Sequence, residues 1–81
     1  MVAVKPGDIY EDVSFHPCLC LGVDETGVVW GVSLIDGSYP RETDLYMSGI
    51  RLLTIEQAWE WKTKGPERIA AEYKAEHPEA Q

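Results

Sequence analysis

Hydrophobic and polar positions change rhythm once along the chain, near residue 53. Up to there the period is two, the spacing of strands whose side chains alternate between faces. "GDIYEDVSF", residues 7–15, sets Ile9, Glu11 and Val13 against Asp8, Tyr10 and Asp12, which predicts a first strand. "PCLCLGV", residues 17–23, is apolar on both faces, the pattern of a central strand covered on two sides. "DETG" at 24–27 has the chemistry of a hairpin loop. "VVWGVSLI" at 28–35 then carries Val28, Trp30, Val32 and Leu34 on one face, and Val29, Gly31, Ser33 and Ile35 on the other. Asp36 and Gly37 predict a turn. Segment 38–48 fits neither pattern, since Pro40 is confined to a loop or an edge strand. "GIRLLT", 49–54, predicts a last short strand.

From Thr54 the period is helical. Thr54 followed by Gln57 is a capping-box pattern, and Ile55, Ala58, Trp59 and Lys62 fall at helical spacing. Gly65 then Pro66 predicts a stop and a restart. In "PERIAAEYKAEHP" the pairs Ile69–Tyr73 and Ala70–Lys74 recur at i,i+4 until Pro78 ends the pattern. Four or five short strands followed by one or two helices is an α+β order. The expected architecture is a small SH3-like β-barrel or a strongly bent antiparallel sheet with C-terminal helical packing. It forms a single domain over 1–81, with the β segment at 1–53, the helical segment at 54–77 and a tail at 78–81. A core this small needs a cover, and the stripe of Ile55, Ala58 and Trp59 is expected to be packed on the sheet as its plug. Trp61 lies roughly 200° round the helix from Trp59, so it either meets the second helix or stays exposed as a partner site.

Charge narrows the class of partner. Fourteen acids face seven bases, a formal net charge of −7. Residues 1–53 carry eight of the acids and only Lys5, Arg41 and Arg51 as bases. Affinity for nucleic acid draws heavily on neutralised phosphates, so this balance disfavours RNA and DNA, and it disfavours anionic membranes too. No run approaches the ~20 apolar residues of a membrane span. The N-terminus "MVAVKPGDIYED" has no apolar signal region. The cytoplasm is the expected compartment, with reduced thiols and no disulfide.

His16, Cys18 and Cys20 stand two residues apart and raise the possibility of metal or redox chemistry. On a strand their spacing along one face is about 6.5–7 Å, too far for a disulfide or for two sulfurs of one tetrahedral zinc. The spacing also misses C-x-x-C redox chemistry. Both cysteines are therefore expected in the core, with no metal and no cofactor. His16, held extended before Pro17, either closes a polar edge of the barrel or serves as a general acid/base at its mouth.

The second candidate is "IDGSYPRETD", residues 35–44. It places Asp36, Ser38, Tyr39, Pro40, Arg41, Glu42 and Asp44 on or beside a turn. Loops on a rigid scaffold concentrate function, and Tyr and Arg are enriched at interface hot spots. The alternative is a turn in which Asp36 bonds its own backbone and Arg41 pairs with a nearby acid.

"PGDIY…HPCLCLGV", residues 6–23, resembles the opening of PemK/MazF-type toxins, SH3-like barrels that cleave RNA; more broadly the chain resembles short bacterial proteins with such a barrel. Here His16 stands where that family has an arginine before the proline, a residue it uses in catalysis. The resemblance implies a barrel, and as an activity an endoribonuclease with His16 as acid/base and Arg41 as phosphate contact. The residues themselves favour a non-enzymatic interaction module whose partner is another protein. It would be bound through Asp36, Tyr39, Pro40 and Arg41, with Trp61 and also Tyr10 or Trp30 as further contacts. A small-ligand or metal-sensing barrel is the third reading.

Overall fold

The computed structural model describes residues 3–46 and 50–78. Five strands, β1 (Ile9–Glu11), β2 (Pro17–Val23), β3 (Val28–Ser33), β4 (Thr43–Asp44) and β5 (Arg51–Leu53), precede two helices, α1 (Ile55–Lys64) and α2 (Pro66–Glu76). The strands form one antiparallel sheet in the order β4-β3-β2-β1-β5, curled into a half-barrel. This is the expected α+β arrangement. Of the tail assigned to 78–81, only Pro78 lies among the described residues, and Gly49 of the last strand's segment lies outside them.

Across the inner face Tyr10 stands opposite Cys18 and Leu52, and Cys18 opposite Ser33. Tyr10, Cys18, Cys20 and Val29 are fully enclosed, and Val4, Leu45 and Ile50 close the cluster. On the outer face Ile9 stands opposite Leu19 and Leu53, and α1 lies against β2 and β5 with Ala58 buried. β2 is thus covered on both sides, as its two apolar faces require. An irregularity between Cys20 and Gly22 bends it. Gly31 is obligatory at the crowded β2–β3 contact, since a β-carbon there would lie 2.1 Å from the Leu19 carbonyl oxygen.

β1 is shorter than its alternating pattern. It ends at Glu11 because the Asp12 carboxylate turns the chain, Oδ1 accepting from the backbone N–H groups of Ser14 at 3.0 Å and His16 at 2.9 Å. Side-chain bonds of this kind compete with a ladder. Within 38–48, Pro40 sits in a loop and Thr43–Asp44 supplies an edge strand. The helix boundaries follow their caps. Thr54 and Gln57 form the reciprocal capping box, Gly65 has φ 89° between the helices, and Pro66 opens α2.

The plug of the outer face is not the one expected. Trp59 is 66% exposed and Ile55 77%, so the stripe Ile55–Ala58–Trp59 does not pack on the sheet as a unit. Helix α1 instead turns Ala58 and Trp61 inward. Trp61 wins because its indole N–H donates to Glu11 Oε2 and its ring lies 5.0 Å from the Arg51 guanidinium carbon. An indole turned toward the protein needs a partner for its N–H, and Glu11 supplies it on this face.

Cys18 and Cys20 lie in the core as free thiols, against the carbonyls of His16 and Gly22. Burial pushes the Cys18 thiol up to about 12 from 9.0, and raises Cys20 as well. The folded chain therefore holds protons that the unfolded chain releases. Stability from this source is complete below the ordinary thiol value of 9.0 and is lost as pH rises from there toward 12. Burial raises Tyr10 too, with the same sign. The urea midpoint should fall between about pH 8 and about pH 10.5. At the lower pH neither thiol of the folded protein should react with iodoacetamide, whereas fast alkylation there would place them outside the core.

Candidate functional site

The turn at 12–16 separates two groups of functional side chains, one on each side of the sheet.

On the inner side, Asp12 joins residues far apart in sequence. It is 5% exposed, and its Oδ2 receives both Nε and Nη2 of Arg41 at 2.9 Å. His16, whose backbone N–H binds the same carboxylate, has Nδ1 2.8 Å from Ser33 Oγ. Ser33 Oγ also accepts from the Ile35 N–H at 3.1 Å, and His16 Nε2 has no partner among the described residues. His16 and Arg41 are therefore gathered round one carboxylate. Two of the guanidinium nitrogens are engaged there, and Asp36 adds a second negative charge nearby. The Asp36 carboxyl is drawn down to about 2, foremost by the Ser38 backbone N–H, which donates at 2.9 Å.

The 38–41 loop is fastened on both sides of Tyr39–Pro40, whose peptide bond is cis. The Ser33 N–H donates to the Ser38 carbonyl at 3.0 Å, and the Arg41 N–H to the Gly31 carbonyl at 2.8 Å. From inside the barrel the Tyr10 hydroxyl donates to the Arg41 carbonyl at 2.6 Å. Between these anchors Tyr39 is 60% exposed and Pro40 is exposed. Ser38 Oγ and Thr43 Oγ1 are buried with no hydrogen-bond partner among the described residues, polar capacity that native folds seldom leave unused.

On the outer side a cavity of about 360 Å³ opens between β1, β5 and the end of α2. Its inner end is Glu11, 2% exposed, bonded to Arg51 Nε at 3.2 Å and to the Trp61 indole. Its walls are aromatic. Phe15 lies 5.5 Å from the Tyr73 ring, and the His77 ring stacks on Tyr73 at 4.3 Å. Phe15 reaches this position with φ 64°, a left-handed backbone that costs a bulky residue of order 1–3 kcal/mol and that the Asp12 turn enforces. Trp61 is thus half-buried at the cavity and set apart from the Asp36–Arg41 loop with which it was grouped.

This cavity was not legible in the sequence, because its residues come from four separate segments. The one available signal was Phe15 beside Asp12 and Ser14, an aromatic inside a turn. Among the described residues no group of three or more His, Cys, Asp or Glu gathers in a way that could hold a metal ion. No described helix is long and apolar enough to cross a membrane. Comparisons with protein-family models, with curated proteins and with solved structures find no match.

Proposed function

We propose that the chain is a non-enzymatic protein-interaction module whose contact is the Tyr39–Pro40–Arg41 loop. The observation that carries this reading is the fastening of the loop at Ser38 and Arg41 while Tyr39 stands outward between them. A loop backbone held in place before binding loses little conformational freedom on binding, and an outward Tyr on it is the residue type of a hot-spot anchor. With a net charge of −7 the chain suits a neutral or basic partner surface.

A toxin-like ribonuclease is the second reading, favoured by the meeting of His16 and Arg41 on Asp12. Weighing against it, that carboxylate already occupies the arginine and Asp36 adds repulsion toward a phosphate.

A photo-reactive amino acid placed at position 39 should crosslink in cells to one defined protein, and the same group at position 59 should not. The Tyr39→Ala chain should compete for that partner at least about tenfold less well than wild type. Its own stability should change by no more than about 0.5 kcal/mol. Crosslinks favouring position 59, or none at 39, would remove the loop as the contact. Slowed growth on expression that His16→Ala relieves would replace the module with the nuclease.

A further inference from the structure

We infer that the cavity at the end of α2 is a binding site for an organic cation, an alkylammonium or guanidinium group carried on an apolar stem. The site is independent of the Tyr39 loop and lies on the other face of the sheet.

Beside the buried Glu11, Ile50 and Ile69, both 4% exposed, make part of the lining apolar. Phe15, Tyr73 and Trp61 line the walls, with His77 stacked on one side of the Tyr73 ring and Arg51 over the Trp61 ring, and a ring face carries the negative lobe of the aromatic quadrupole. Glu11, Glu72 and Glu76 line the same space with Arg51 and His77. Glu11 pairs with Arg51, and Glu72 with Lys64 and Arg68. Glu76 has no ion pair among the described residues. Glu11 uses two of about four acceptor positions of its carboxylate on Arg51 and Trp61. The last turn of α2 borders the same space, and the negative end of a helix dipole favours a cation.

Arg51 already displays the mode of recognition. Its guanidinium lies over the Trp61 ring and bonds a buried carboxylate. Tyr73 and Glu76 bring a ring and an acid together at the outer end of the cavity as well, where His77 stacks on one side of the ring and no Lys or Arg among the described residues pairs with Glu76. An anion would meet Glu72 and Glu76 and would have to compete with Glu11 for Arg51. The volume, about 360 Å³, is at the small end of ligand sites and admits one such group with its stem.

Nuclear magnetic resonance titration of the whole chain tests this with agmatine, with an acetylated Gly-Arg-Gly amide, and with its neutral citrulline counterpart. Both cations should move the resonances of Phe15, Tyr73 and His77, and the citrulline peptide should bind about tenfold more weakly. Glu76→Gln, at an exposed position, should weaken both cations about fivefold with an unchanged melting curve. Tighter binding of agmatine would identify a free amine as the source of the cation, and tighter binding of the tripeptide an arginine side chain of a partner. Equal binding of the citrulline peptide, tighter binding of glutarate, shifts confined to other residues, or no shifts at about 10 mM of either cation would each overturn the site.

Discussion

Trp61→Ala should leave most of the protein unfolded at room temperature, while Trp59→Ala should barely move its melting curve. Truncating a fully buried aromatic costs about 3–5 kcal/mol; the half-buried Trp61 should lose the lower end of that range, and its truncation also strips a hydrogen bond from a carboxylate that is 3% exposed. A bond to a charged group is worth a further ~1.5–3 kcal/mol. A single core of this size rarely supplies more than about 3–5 kcal/mol in all. Trp59, 66% exposed, has little packing to lose, and its truncation should stay within about 0.5 kcal/mol. Circular dichroism melts of the two variants read the contrast. A large loss for Trp59 with a small one for Trp61 would return the plug to the other side of α1.

The second large effect is expected at Asp12. Asp12→Ala removes the acceptor for two backbone N–H groups and the partner of Arg41 in one step. It also frees Phe15 from the turn that holds its left-handed backbone. Orphaned buried donors cost about 1–3 kcal/mol each; Arg41, with a side chain 22% exposed, recovers part of its hydration. The sum should be near 3 kcal/mol. Asp12→Asn keeps an oxygen for the two N–H groups and loses only the charge, so it should cost roughly half as much. Urea denaturation of both variants distinguishes the contributions. Equal losses would mean that the ion pair alone matters and that the turn holds itself.

Much of the fold was legible because several of its elements rest on local rules. The DETG loop, the two apolar faces of β2, the Thr54–Gln57 box and the Gly65–Pro66 break all depend on residues within a few positions of one another. Cys18 and Cys20 were legible as core for the same reason, since strand spacing alone separates them too far for a shared metal. What stayed hidden depends on partners far away in the chain. Helical periodicity ranked Trp59 with Ile55 and Ala58 by apolarity, and it had no means of knowing that Glu11, 50 residues from Trp61, would be buried beneath the helix. Arg41 was visible as a candidate, and pairing with some acid was foreseen, but its meeting with Asp12 and His16 is tertiary. The cavity was the least legible feature, because Phe15, Arg51, Trp61 and Tyr73 share a wall only after β5 and both helices have folded back.

Glu11 and Asp12 are neighbours in sequence and point to opposite sides of the sheet, each bound to an arginine from a different distant segment. A slip of β1 by one residue would exchange their faces. Each acid would then lose its arginine, and Tyr10 would turn out of the core. A strand of three residues has few ladder bonds with which to resist such a slip. The pair therefore acts as a two-sided key that admits β1 in one register. The energy of these ion pairs counts less toward net stability than toward excluding the misaligned sheet.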